Sequence, residues 1–172
     1  MKTTILKIKH VLIIAILVLA TSCSKDDDNP EENNGFFMTA SIDNDSFNAI
    51  PETVLVDYYT DNGDFMTITG KTTENRIITM IVNLQNYTVG SGTYTTQEVN
   101  FTFELIDSNG FSSDSWNTNE AGAGNGTLTI LEEDNNHLKG TFTFNPFTVW
   151  GTLDVYNSSI LVTNGSFNAK KI

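Results

Sequence analysis

From residue 36 onward, apolar and polar residues alternate in short runs separated by Asn, Asp and Gly. Thr, Asn, Gly, Phe, Val and Ile set the texture, and no stretch holds a 3.6-residue apolar period. A period of two in β-branched and aromatic residues predicts strands that bury one face. Residues 54–59 and 65–70 flank Asp61-Asn62-Gly63-Asp64 and predict a hairpin, because Asn-Gly supplies the positive φ angles of a tight turn. Residues 76–84 are apolar on most of both faces, which predicts a strand interior to its sheet. Val99, Phe101, Phe103 and Leu105 alternate with polar residues in a half-buried strand. Residues 127–131 and 138–144 predict a second hairpin, and residues 147–156 a further strand after the Asn145-Pro146 break.

Residues 160–172 contain Asn164-Gly165, which fits either a hairpin turn or a bulge in one continuous strand. Ser46-Phe47-Asn48-Ala49 recurs as Ser166-Phe167-Asn168-Ala169, an echo too short to mark a duplication. Many strands joined by short turns imply an all-β antiparallel domain, mostly meander. It must curl into a single β-sandwich or flattened β-barrel of about 8–10 strands to hide its apolar face.

The front of the chain has a different pattern. Lys2, Lys7, Lys9 and His10 precede an unbroken apolar run over residues 11–20. A helix of that length covers about 15 Å at 1.5 Å per residue, half of a bilayer's hydrocarbon core, so the run fits a signal-peptide core better than a permanent span. Residues 26–35 (DDDNPEENNG) hold no apolar side chain and predict a flexible acidic tether. The expected organisation is a leader over residues 1–22, a tether over 23–35 and one domain over 36–172.

Cys23 is the single cysteine and follows the small residues Ala20, Thr21 and Ser22. This segment resembles a bacterial lipobox, with Ala20 at the position where Leu is commonest and Leu19 one place further out. The resemblance implies diacylglycerol on the Cys23 sulfur, cleavage before Cys23 and acylation of the new N-terminus. Lys25, Asp26, Asp27 and Asp28 resemble the export tag of surface lipoproteins in the Bacteroidetes. The domain itself is similar to uncharacterised β-rich lipoproteins of that phylum. The cues are an early strand carrying Phe, Ala and Ile, Gly92-Thr93-Tyr94, the GTFTF run at Gly140, and the VTNGSF run at Val162. The resemblance implies a location, an outer-membrane lipoprotein facing the exterior, and a fold; it implies no chemistry.

Net charge is −12 over the whole chain, and loss of a leader carrying three lysines makes the remainder more acidic still. Such a surface repels phosphate, so nucleic acid is excluded as a partner, and membrane contact is expected only through lipid at Cys23. His137 sits in a polar turn and His10 in the leader, which leaves no material for a His-based triad or a His/Cys zinc site. Asp57, Asp61, Asn62 and Asp64 crowd one turn without the spacing of a calcium loop. The chain is therefore expected to be non-catalytic, without metal or cofactor.

Two segments are expected to be loops, residues 85–96 with Tyr94 and residues 107–126 with Trp116. A tryptophan in such a loop either tucks into the domain as an anchor or offers a stacking surface; on the second reading Trp116, with Tyr94 on the neighbouring loop, is the candidate ligand-binding residue. Three functions follow: a tethered structural or binding domain whose partner is a surface protein or glycan, a carbohydrate-binding protein of a glycan-uptake system, and a lipocalin-like carrier of an apolar ligand.

Each acyl methylene buried in a membrane contributes about 0.8 kcal/mol, so two or three chains on Cys23 make a stable anchor. Cys23→Ala should therefore leave an unprocessed, unlipidated precursor. Palmitate labelling of whole cells checks this, and label retained by the variant would place the anchor elsewhere.

Overall fold

A computed structural model describes residues 35–59, 64–84, 90–119, 124–151 and 159–172. The leader, Cys23, the acidic tag and the Asn62-Gly63 turn lie outside the described residues. Among the described residues there are twelve strands and one short 3₁₀ turn at Pro51–Thr53. They are β1 (Phe37–Ile42), β2 (Asp45–Asn48), β3 (Leu55–Tyr59), β4 (Phe65–Lys71), β5 (Arg76–Asn83) and β6 (Gly92–Thr95). There follow β7 (Val99–Ile106), β8 (Ser112–Asn117), β9 (Asn125–Glu133), β10 (His137–Asn145), β11 (Phe147–Gly151) and β12 (Val162–Lys171).

The strands form two six-stranded antiparallel runs. One is ordered β2-β1-β12-β10-β9-β6 and the other β3-β4-β5-β7-β8-β11. Among the described residues their backbones pair where β12 lies parallel to β3, with Lys170 opposite Leu55 and Lys171 opposite Val56. The two runs face each other across one apolar core. Phe101 of β7 stacks on Phe144 of β10 with ring centroids 5.1 Å apart, a contact from one run to the other. The architecture is thus an open sandwich, not a closed barrel. The chain crosses between the runs repeatedly, so β6 leaves its sequence neighbours β5 and β7, and β11 returns to pair with β8.

Alternation explains each strand's inner face. Met66, Ile68 and Gly70 of β4 point inward, as do Ile78, Met80 and Val82 of β5. The strand β5 lies between β4 and β7, interior to its run as its two-sided apolarity predicts. The hairpins β3–β4 and β9–β10 form as expected. Asn164 resolves the alternative left open in the last segment. Thr39 pairs with Ser166 but Ser41 with Thr163, and Phe142 with Gly165 but Phe144 with Val162. The extra residue therefore lies in β12, and Asn164 adopts φ 52° there, so the pair is a bulge in one continuous strand.

The strand count exceeds the expected eight to ten because three strands carry weak apolar signals. A two-residue turn at Asp43 (φ 48°) and Asn44 (φ 76°) closes a β1–β2 hairpin. Both expected loops contain a strand, β6 in one and β8 in the other. β8 reads Ser-Ser-Asp-Ser-Trp-Asn, which offers no alternation to detect; its backbone pairing with β7 makes it a strand. The two copies of Ser-Phe-Asn-Ala flank β1 on opposite sides, where Phe47 and Phe167 are both fully buried.

At the seam, Glu133 Oε1 accepts hydrogen bonds from Lys171 Nζ (2.7 Å) and Tyr58 Oη (3.1 Å), while Lys171 Nζ also donates to the Asp134 carbonyl. Burial, then the Glu133 carboxylate, raises the Tyr58 phenol's pKa. Burial pulls Lys171 down, but its hydrogen bond to Glu133 and the charges around it outweigh that and leave it raised.

On the inner face, Gly140 pairs with Phe167, Gly165 with Phe142, and Gly126 with Phe144. At Gly140 and Gly165 the partner's ring takes the space of the missing side chain, and at Gly126 that space is taken by the Phe101 ring and the Phe144 Cβ. A Cβ on Gly140 would sit 2.4 Å from the Thr129 carbonyl oxygen and 2.7 Å from Phe167 Cζ, whereas one on Gly92 would meet nothing within 4 Å. Gly140→Ala should therefore cost about 1–3 kcal/mol in urea unfolding, as overpacking does. Gly92→Ala should stay within about 0.5 kcal/mol of the parent. Equal stability of the two variants would contradict this packing.

Candidate functional site

The outer face of the β3-β4-β5-β7-β8 run carries its side chains in cross-strand rows. Tyr59, Phe65 and Asn83 form one row, and Asp57, Thr67, Ile81 and Asn100 the next. The rings of Tyr59 and Phe65 stack at 4.7 Å and 16°, and Tyr59 is 45% exposed. The Asp57 carboxylate, two residues back on the same face, accepts from the Tyr59 hydroxyl and raises its pKa.

Beside this stack lies a groove of about 450 Å³, lined by Asp64, Phe65, Ile81, Asn83, Thr96, Gln97, Glu98, Val99, Asn100 and Asn119. The elements hold these groups firmly. Leu84 N–H donates to the Asp64 carbonyl (2.6 Å) and Asn83 N–H to the Glu98 carbonyl (2.9 Å). Thr118 Oγ1 donates to Asn100 Oδ1 (3.3 Å), which leaves the Asn100 amide nitrogen to donate elsewhere. The Glu98 carboxylate accepts from both the hydroxyl (2.6 Å) and the N–H (2.7 Å) of Thr95. Those bonds, the Thr95 hydroxyl first, hold its pKa below the ordinary value.

The site thus combines a half-exposed aromatic stack, side-chain amides and two acidic residues, Asp64 and Glu98. Amides donate and accept at once, and rings present a flat apolar surface. That set matches a neutral polyhydroxylated ligand, whose hydroxyls need both kinds of partner and whose ring C–H faces need an apolar one. Glu74, Asp107 and Asp134 are shifted downward like Glu98, each by hydrogen bonds to its carboxylate.

The two rings singled out from the sequence lie in the core. Trp116 on β8 is 5% exposed and packs against Phe103 of β7, with centroids 5.5 Å apart. Tyr94 on β6 is 9% exposed, and its hydroxyl donates to the Gly90 carbonyl (2.8 Å) and accepts from the Gly90 N–H (3.1 Å). They stand on different runs of the sandwich, and neither offers a ring face for stacking. Tyr59 and Phe65 are the exposed pair instead. The signal for them was present: in the hairpin's alternation both rings share the polar phase, with Asp57 and with Thr67 and Thr69. His137 sits in the β9–β10 turn, where its Nδ1 meets Asp134 Oδ2 at 2.8 Å. Among the described residues, no group of three or more His, Cys, Asp or Glu is placed to hold a metal ion, and no helix is long and apolar enough to cross a membrane.

Trp116→Ala would empty a large core position, and such truncations cost about 3–5 kcal/mol. Urea unfolding should show that loss, and an unchanged midpoint would mean that the indole contributes nothing to packing.

No curated protein and no solved structure matches the chain. The family of the domain of unknown function DUF6252 matches residues 34–169, and the chain belongs to that family.

Proposed function

We propose that this chain is a non-catalytic glycan-binding domain, tethered by lipid at Cys23 to the outer face of a bacterial outer membrane. The observation that carries the binding assignment is the groove between the Tyr59–Phe65 stack and the amides of Asn83, Gln97 and Asn100. A volume of about 450 Å³ is that of a small-ligand pocket. Ring stacking gives affinity for a pyranose, and the paired donors and acceptors give orientation. An apolar cargo of the lipocalin kind is less well served, because Phe101, Phe142, Phe144 and Phe167 fill the space between the sheets.

The tether follows from the leader, the lone Cys23 and the acidic run at Asp26, Asp27 and Asp28 after Lys25. A lipidated N-terminus followed by an acidic spacer would hold the groove outside the lipid headgroups, where polysaccharide is met.

Each hydrogen bond contributes about 0.5–1.5 kcal/mol. Asn83→Ala with Gln97→Ala should therefore weaken binding of neutral oligosaccharides about 10- to 100-fold. Calorimetric titration against glycans first selected on an array checks this, with thermal unfolding as the control for folding. A parent protein that binds no neutral glycan would overturn the reading, and so would equal affinity in the double variant.

A further inference from the structure

The outer face of the other run carries a regular grid of hydroxyls. One row crosses all six strands: Thr93, Thr129, Thr141, Ser166, Thr39 and Asn48 are successive register partners on β6, β9, β10, β12, β1 and β2. A second row, two residues along each strand, holds Thr95, Thr127 and Thr143 on one side of the β12 bulge and Thr163, Ser41 and Ser46 on the other. All of these side chains are exposed or half-buried, and no charged side chain stands in either row. At about 4.7–4.9 Å per strand the rows run about 24 Å. Thr93 and Thr129 hydroxyls meet at 3.1 Å, and Thr39 and Ser166 at 3.0 Å, so each pair keeps lone pairs or a proton for an outside partner. The bulge at Asn164 opens a groove of about 510 Å³ between Thr141, Thr143, Thr163 and Ser166.

We propose that this grid is a second binding surface whose occupant is an extended neutral polysaccharide chain. The chemistry selects that occupant. Threonine presents a methyl beside a hydroxyl, the same alternation of C–H and O–H that a sugar edge presents. A protein partner would need apolar or aromatic anchors; the two rows have none, and the exposed Phe37 and Leu131 lie beyond them on β1 and β9. An anionic polymer would need cations, on a chain whose net charge is −12. The length of the rows exceeds what a mono- or disaccharide could use. Neighbouring strands rotate by about 20–25°, so a flat crystal lattice could not touch all six strands, whereas a flexible chain can follow the twist. The inference borrows only the ligand class from the groove reading and rests on the other run of strands.

Affinity electrophoresis of the full chain in detergent, through gels holding a soluble β-glucan, xylan or mannan, tests it. Thr129→Val with Thr141→Val removes two hydroxyls while keeping β-branched shape, so the strands should form as before. Thr141→Lys, at an exposed position, is a second variant that places a charge in the row. The parent should be retarded by at least one polymer, and both ladder variants should show a dissociation constant raised 5- to 10-fold or more with unchanged thermal midpoints. Asn83→Ala with Gln97→Ala should keep most of the polymer retardation while losing short oligosaccharides in calorimetry. Retardation that survives both ladder variants, or that is lost only in the groove variant, overturns the proposal. A parent retarded by none of the three polymers also overturns it, and the oligosaccharide titration then judges the groove by itself.

Discussion

The inner face of the sandwich depends on one steric exchange: phenylalanine rings lie where glycine side chains are missing. Gly140 opposite Phe167 and Phe142 opposite Gly165 are adjacent, reciprocal pairs on β10 and β12, and Phe144 opposite Gly126 extends the pattern to β9. The Phe167 and Phe142 rings lie across the bare backbone of Gly140 and Gly165, and at Gly126 the ring in that space is Phe101's. Glycine in a strand is normally a weakness, since it lacks packing surface and carries excess entropy in the unfolded chain. Here the ring supplies the surface. Phe101 from the facing sheet then stacks on Phe144 and closes the core. The bulge at Asn164 belongs to the same device, because it sets the phase that brings both Gly165 and Phe167 inward while leaving Thr163 and Ser166 outward.

This explains which parts of the fold were legible in the sequence. The GTFTF and VTNGSF runs look like weak composition motifs, but they are the two halves of the interlock. The long apolar strand β5 was readable as interior, although the reason is subtler than burial on both sides. Ile78, Met80 and Val82 enter the core, while Ile77 and Ile81 stand half-buried on the outer face and Ile81 lines the groove. The strands β6 and β8 were not legible, because a strand made by backbone pairing against a neighbour needs no apolar alternation of its own. Ser112 to Asn117 shows this plainly, with Trp116 as its only large apolar side chain.

The site was illegible for a related reason. Trp116 and Tyr94 drew notice as rings within long polar segments, and each proves to be the apolar residue that pins its segment to the core. Composition does not place a ring in such a segment, since Phe111, five residues before Trp116, is 72% exposed. Tyr59 and Phe65 lie in a well-formed hairpin, where only the alternation separates outward rings from inward ones. Phase is the better guide than local composition. A ring in register with Asp57 and Thr67 must point outward, and an outward ring costs about 25 cal/mol for each Å² left in water. Two such rings stacked at 4.7 Å reduce that cost against each other and leave a flat apolar surface beside the amides.

The same logic of phase unites the two outer faces. Once glycine and phenylalanine fix the inward residues of β10 and β12, the period of two sends Thr141, Thr143, Thr163 and Ser166 outward, and the pairing partners add Thr127, Thr129, Thr39 and Ser41. β-branched threonine satisfies the strand while exposing a hydroxyl, so a stable strand and a hydrated face come from one residue choice. That choice alone would serve solubility. Solubility, however, is already supplied by net charge, and charge is absent from both rows. Two rows that are polar and uncharged over six strands leave the charge of this face to its border, at Lys139 and Glu132, and retain hydrogen-bonding groups at fixed spacing. On the proposed reading, the groove and the grid would act independently, the groove on short oligosaccharides and the grid on extended chains, because phase sends each set of side chains to its own outer face.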